Sequence, residues 1–333
     1  MSHASAARAV EEILAGHMSA VCLIVAHKLG LFELLARGPL TRDEIVAALG
    51  VANPAALANL VHVLVAQGLV ADDGRAYGNG AIAERALVAG RPGYWGGFVD
   101  FFAAQFQAKT IDALLAFTAR DAKLVERPSA KDWRDYMRAM ECMASLSADA
   151  IARALPLGSC RTLLDLAGGP GSYAVAFCAA HPRLRVVLMD LPQTLDHARP
   201  VVATSGYADR IDLVPGSMAA PEYGHDFDAV FVSQTVHLAP EAAVVESLGR
   251  IHRALAPGGL VVVREVFVDD ATRRPLLGSL LGFNMWIYGG AYSFAAMERL
   301  LAGAGFVGPS RMTFGDGDGP DVLGTMVLAR KPG

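Results

Sequence analysis

The stretch RTLLDLAGGPGSY, residues 161–173, limits what this chain can fold into more than any other segment. A short apolar run ending in glycines reads as a buried strand. Gly168, Gly169 and Gly171 then let the backbone turn tightly into the helix that SYAVAFCAAHP predicts. The alternation repeats downstream. RVVLMDLP, RIDLVPGSM, DAVFVSQTVH and GGLVVVREVFV read as strands, with helices expected at 194–205, 241–255 and 293–305. The end, FVGPSRMTFGDGDGPDVLGTMVLARKP, predicts two strands joined by a Gly/Asp turn. Strand–helix alternation implies an α/β, Rossmann-like, doubly wound parallel sheet, with the closing hairpin as an antiparallel edge.

The first third reads differently. Ala7–Ala36 has helical spacing, Thr41 and Glu44 form a capping box, and Gly50 stops that helix. Asn53-Pro54 opens a helix running to Gln67-Gly68, and LVADDGRAYGNG turns at Asp73-Gly74 as a hairpin. Three helices and a hairpin make a winged-helix pattern, a shape that invites a DNA-binding reading. Residues 53–70, the would-be recognition helix, contain no Lys or Arg, and the formal net charge is −4. Without phosphate neutralisation such a helix has no grip on a duplex. Its apolar surface suits burial against a second copy, so a homodimer is expected and nucleic acid is not. The expected domains are a helical dimerisation domain at 1–105 and a cofactor domain with linker helices at 106–333.

Aromatic residues and methionines crowd 94–155. They read as ordinary helix core, as the lining of an apolar pocket, or as both. Phe102, Tyr136 and Met140 are candidate substrate-binding residues, with Phe283, Asn284, Trp286 and Tyr288 further on. The uncharged stretches Ile45–Ala71 and Leu276–Met297 hold too many helix breakers to favour a membrane span, and the N-terminus lacks a signal-peptide core. Cys22, Cys142, Cys160 and Cys178 show no metal-ligand or disulfide spacing, so no metal is expected and a cytoplasmic location fits.

The chemistry centres on the glycine turn. Asp165, Ala167, Gly168, Gly169 and Gly171 bring backbone N–H groups toward a ligand, and Asp190 ends the next strand where a ribose hydroxyl needs an acceptor. Alone, this pattern supports a nucleotide of some kind. Asp165 just ahead of the glycines would repel a pyrophosphate but suits an ammonium, and the sheet ends in a hairpin instead of a second mononucleotide half. Both details favour S-adenosylmethionine over NAD.

LLDLAGGPGSY, VVLMDLPQTL, VPGSM, the segment from His237 to Leu255 with APGG after it, REVFVDD and FAAMERLLAGAGF together resemble the bacterial and plant small-molecule O-methyltransferases of the caffeate, hydroxyneurosporene and acetylserotonin type. The likeness spans nearly the whole chain. It implies that Asp190 and Leu191 hold ribose and flank adenine, and that Gly216, Ser217 and Met218 close over the adenine. It also implies that Ser233 belongs to the cofactor site. Ser217 stands where the family usually carries Asp, and Ala167 where it usually carries Gly. His237 falls on the family's general base and Glu265 on the carboxylate that orients it. A neutral imidazole suits proton removal near neutral pH, and Glu265→Gln is expected to be the milder of the two changes. His252, late in its helix, is expected to complement that helix's carboxyl end.

Two departures stand out. Leu238-Ala239 replaces the family's usual Asp-Trp, and Gly289-Gly290 is followed by Ala-Tyr-Ser-Phe instead of a second carboxylate. The resemblance implies methyl transfer from S-adenosylmethionine to a hydroxyl of a small aromatic metabolite. The departures keep open a relative that methylates carbon or nitrogen, or that performs hydroxylation, decarboxylation or ring closure.

Overall fold

The computed structural model describes residues 3–108, 111–112, 130–272, 279–280, 290–313 and 325–333. These fall into two compact units, Met1–Leu115 with Pro128–Met143, and Ala116–Arg127 with Ala144–Gly333.

The first unit opens with helices α1 (His3–Lys28), α2 (Leu31–Leu35), α3 (Arg42–Leu49) and α4 (Pro54–Ala66). Thr41 and Glu44 cap α3 reciprocally, and Gly50 ends it in the left-handed region at φ 62°. Asn53 Oδ1 accepts the Ala56 N–H at the start of α4, with Pro54 in its first turn. Strands β1 (Val70–Asp72) and β2 (Tyr77–Asn79) pair antiparallel, and α5 (Ala81–Ala86) and α6 (Gly96–Ala108) follow. Leu31, Phe32, Ile45, Leu57, Val61 and Leu64 form the core of this unit.

Helix α7 (Ala130–Ser145) joins the first unit up to Met143, whereas the sequence reading placed everything beyond residue 105 with the cofactor domain. Ring contact explains the difference. Phe101 of α6 meets Tyr136 of α7 at 5.6 Å between centroids, and Phe98 meets Phe102 at 4.9 Å. Aromatic pairs of this kind add stabilisation beyond the area they bury.

Helix α1 exposes part of its apolar surface. Val10, Ile13, Leu14 and Met18 stand at helical spacing, with Ile13 76% accessible. By length and composition the segment Arg8–Lys28 is apolar enough to cross a membrane, a feature that the sequence reading did not single out.

The second unit is built on a seven-stranded sheet. In chain order it contains α8 (Ala148–Ala154), β3 (Thr162–Leu166), α9 (Ser172–Ala180), β4 (Arg185–Asp190), α10 (Pro192–Thr204) and β5 (Ile211–Pro215). Then come β6 (Phe227–Ser233), α11 (Glu241–Ala254), β7 (Leu255–Arg264), α12 (Phe294–Gly303), β8 (Val307–Met312) and β9 (Met326–Arg330). The strand order is β5-β4-β3-β6-β7-β9-β8, parallel from β5 to β7. Apolar clusters cover both faces of the sheet, as a parallel sheet requires.

The closing pair forms the antiparallel edge of the sheet, as expected. β9 inserts between β7 and β8, antiparallel to both. Met326–Ala329 is continuously buried, so it takes the interior position, while β8, with Pro309 and exposed residues, takes the rim.

Candidate active site

The carboxyl ends of β3, β4, β5, β6 and β7 gather the residues of interest, as the topology of a doubly wound sheet dictates. After β3, Ala167 takes φ 57° and its N–H donates to the Met189 carbonyl at 2.7 Å. A non-glycine residue there carries backbone strain. Gly168 is sterically required, because a Cβ on it would stand 2.6 Å from Asp165 Oδ2 and 2.9 Å from Leu188 Cγ.

Asp165 is 1% exposed, and its Oδ2 has no hydrogen-bond partner among the described residues. Burial, assisted by the charge of Asp190, pushes its carboxyl up to about 8. Asp190 ends β4 with both oxygens engaged by backbone, Oδ2 accepting the Gly169 N–H at 2.8 Å and Oδ1 the Leu191 N–H at 2.6 Å. It too is raised by burial, against those hydrogen bonds. Two inward carboxylates held above their ordinary range make a site that favours a cationic ligand. Each Asp190 oxygen keeps a further lone pair for a hydroxyl.

Gly216 follows β5, and its N–H donates to the Asp190 carbonyl at 2.9 Å. The Met218 carbonyl accepts from the Tyr223 hydroxyl and from Arg250 Nη1, which pins the turn. Ser217 Oγ caps its own turn by accepting the Ala219 N–H at 3.1 Å. At the end of β6, Ser233 Oγ accepts from Arg264, and the next residue, Gln234, adopts φ 52° with its Nε2 buried and unpartnered among the described residues. Gln234 has no sequence signature of its own. Like Ala167, it is a strained residue at a strand's carboxyl end.

A short 3₁₀ turn, Val236–Leu238, follows β6 and places His237 opposite Glu265, the first residue beyond β7. His237 Nδ1 lies 2.8 Å from Glu265 Oε2, with both side chains buried. Glu265 Oε1 accepts the backbone N–H groups of Thr235 and Val236 at 2.8 and 3.1 Å. Sequence reasoning missed those two donors, because a backbone group carries no sequence signal. Burial disfavours the charged imidazole, but the Glu265 charge and hydrogen bond outweigh it, so His237 titrates above the ordinary histidine value. Tyr292, just before α12, is pushed up to about 12 by burial and by the charges of Glu241 and Glu265.

Phe102, Tyr136 and Met140 lie half-buried in the first unit, the two rings within its aromatic cluster. Phe283, Asn284, Trp286 and Tyr288 lie outside the described residues. His252 stands in the last turn of α11 as expected, but burial and the charges of Lys331 and Arg253 lower its titration and its ring packs edge-on against Phe306 at 5.1 Å, which weakens its part as a cation at that helix end.

The glycine turn with its buried Asp165, Asp190 at the end of the next strand and the buried His237–Glu265 pair gather at the carboxyl ends of a doubly wound sheet, the place where nucleotide-binding proteins of this class hold their ligands. The comparisons with known proteins give that class its family. An O-methyltransferase domain model matches residues 118–307, and an O-methyltransferase dimerisation domain model matches 11–89. The chain is 30% identical over 294 residues to the 3-hydroxy-5-methyl-1-naphthoate 3-O-methyltransferase of Streptomyces sahachiroi, covering 85% of this chain and 84% of that protein. It is 31% identical to the N,N-dimethyltransferase OxyT of Streptomyces rimosus, over 80% of each. The crystal structure of human N-acetylserotonin methyltransferase in complex with SAM superposes with a TM-score of 0.84 at 22% identity, covering 100% of both chains. The chain belongs to the O-methyltransferase family, whose members are S-adenosylmethionine-dependent enzymes.

Proposed function

We propose that this protein is a cytoplasmic homodimeric enzyme that transfers a methyl group from S-adenosylmethionine to a hydroxyl of a small aromatic metabolite. His237 serves as proton acceptor and Glu265 as its positioning residue. The observation that carries this reading is the buried His237–Glu265 pair, on the same sheet end as a glycine turn whose Asp165 Oδ2 lacks a partner among the described residues.

The residues fit the donor. Asp190 and Leu191 would hold its ribose and flank its adenine, and Gly216, Ser217 and Met218 would close over the base. Ala167, Gly168, Gly169 and Gly171 would admit the remainder close to the backbone, with Asp165 facing its positive charge and Ser233 beside it. When bound, S-adenosylmethionine supplies an activated methyl group on a sulfonium, so the protein needs alignment, exclusion of water and one base. Glu265 Oε2 accepts from His237 Nδ1–H, which leaves Nε2 with its lone pair available. His237 Nε2 takes the hydroxyl proton as the acceptor oxygen becomes nucleophilic, and the Glu265 carboxylate stabilises the imidazolium formed. By residue type alone, Phe102, Tyr136 and Met140, with Phe283, Asn284, Trp286 and Tyr288, remain the candidates for contact with an aromatic acceptor.

For the first unit we propose a winged-helix arrangement, with α3, α4 and the β1–β2 hairpin acting in dimer formation and no role with nucleic acid or membrane. The lack of Lys and Arg in residues 53–70 supports this, as does the dimerisation-domain match at 11–89, which takes in most of the apolar face of α1. The working domains are 1–105 and 106–333, with α7 as a linker helix that leans on the first.

Incubation with methyl-labelled S-adenosylmethionine and a panel of phenols tests the reading. Label on oxygen supports it. Label on nitrogen or carbon moves the protein to the N- or C-methylating relatives, and acceptor turnover without label transfer moves it to non-methylating chemistry.

A further inference from the structure

Arg264, the last residue of β7, is a buried cation, 2% exposed, with no carboxylate within ion-pair distance among the described residues. Its guanidinium donates from Nη1 to Ser233 Oγ at 3.1 Å and from Nη2 to Ser147 Oγ at a longer 3.4 Å. It lies 5.5 Å from the centroid of the Tyr173 ring, and its Nε is buried with no partner among the described residues. Every neighbour in these contacts is neutral. A guanidinium withdrawn from water is stable only when an anion or a full set of acceptors replaces its hydration, and among the described residues Arg264 has neither.

Its placement says which anion is missing. Side chains alternate along a strand, so Arg264 shares a face with Leu260 and Val262, which pack in one cluster with Tyr173 and Phe231. Glu265 points to the opposite face, where His237 meets it. Tyr173 lies in the first turn of α9, directly after Gly171. Ser147 immediately precedes α8, and Ser233 ends β6. The guanidinium is thus anchored beside the glycine turn, where the donor is expected, and away from the base.

We propose that Arg264 receives the carboxylate of the amino-acid tail of S-adenosylmethionine, with the Ser147 and Ser233 hydroxyls aiming the guanidinium. The inference rests on the donor reading above. It completes a charge match: the ligand carries an ammonium, a sulfonium and a carboxylate, and the site offers Asp165 toward the positive end and Arg264 toward the negative one. Planar guanidinium suits bidentate recognition of a carboxylate, and the unpartnered Nε is a free donor for it. The sequence signal is a lone Arg at the end of the apolar run LVVV in strand β7.

Calorimetric titration of the full chain with two product analogues tests it. One is S-adenosylhomocysteine; the other is S-adenosyl-3-thiopropylamine, which keeps nucleoside, thioether and amine but lacks the carboxylate. Wild type is expected to prefer the carboxylate-bearing ligand at least tenfold. Arg264→Gln should erase most of that preference while the amine-only ligand binds as before, and Arg264→Lys should restore part of it. The ratio of the two affinities cancels any change in folded fraction. Equal affinities in the wild type overturn the proposal without any variant. An unchanged ratio in Arg264→Gln also overturns it and makes Arg264 a packing residue. If the wild type binds neither ligand, the donor reading itself falls.

Discussion

Glu265 holds His237 through one carboxylate oxygen and the main chain through the other: Oε2 lies 2.8 Å from Nδ1, while Oε1 accepts the Thr235 and Val236 N–H groups. The carboxylate therefore cannot rotate without losing two backbone hydrogen bonds, and the histidine tautomer follows from this. Nδ1 carries the proton and Nε2 is the free base.

With His237 as proton acceptor, His237→Ala should lower turnover about 10²–10⁴-fold while affinity for S-adenosylhomocysteine stays near wild type. The reactive form is neutral. Because Glu265 outweighs burial and raises the histidine's titration, activity should fall as pH drops through a value above the ordinary 6.5. A pH–rate profile for kcat shows the limb directly; normal methylation by the alanine variant would remove His237 from the chemistry.

Glu265→Gln should be more damaging than its small size suggests, reversing the expectation drawn from sequence. The two backbone N–H donors require an oxygen at Oε1, so the amide nitrogen turns toward His237. That NH₂ donates to Nδ1, and the ring proton moves to Nε2, where the base is needed. Turnover should drop within about tenfold of the His237→Ala level, with cofactor affinity and thermal stability little changed, since the loss resides in the tautomer. Kinetics alongside a melting curve decide it: near-normal kcat would show that the tautomer is not controlled from this position.

The sequence was most legible where periodicity and turn chemistry carry the fold. The Thr41–Glu44 capping box, the Asp73-Gly74 hairpin and the glycine turn after β3 all lie where local residue types place them. Pairing order was harder. That β9 rather than β8 sits against β7 depends on burial of Met326–Ala329, a tertiary property. In the candidate site, His237 and Glu265 were legible through a succession of motifs. Their support was not, because it comes from main-chain N–H groups and from the strained φ of Gln234. Arg264 carries only the signal of a charge at the end of an apolar run, and that no carboxylate among the described residues pairs with it is a three-dimensional property.

The exposed apolar face of α1 gives an assembly prediction. Val10, Ile13, Leu14 and Met18 would leave a large apolar stripe in water unless a second copy covered it. The wild type should be a dimer at micromolar concentration. Ile13→Asp with Leu14→Asp should produce a monomer or a weakened dimer by light scattering. A wild-type monomer, or a double variant of unchanged mass, would place the dimer contact elsewhere.

The proposed place of Asp165 against the ligand's ammonium gives a proton-linkage prediction. Burial, with Asp190 nearby, raises its carboxyl to about 8, so at pH 7 the free enzyme holds it mostly protonated. A ligand bringing an ammonium against it favours the ionised form and lowers that value. The sign follows from linkage: the bound state holds fewer protons than the free state, so affinity rises with pH up to about 8 and levels off above it. Binding of S-adenosylhomocysteine near pH 7 should release up to about one proton, seen as different apparent heats in buffers of different ionisation enthalpy. Asp165→Asn fixes a neutral group of the same shape. It should abolish the proton release, flatten the pH dependence and weaken binding by roughly 1–3 kcal/mol at pH 8, the scale of one lost charged hydrogen bond. Identical heats in all buffers for the wild type would mean that Asp165 does not change its protonation when ligand binds, and would remove it as the partner of the ligand's ammonium.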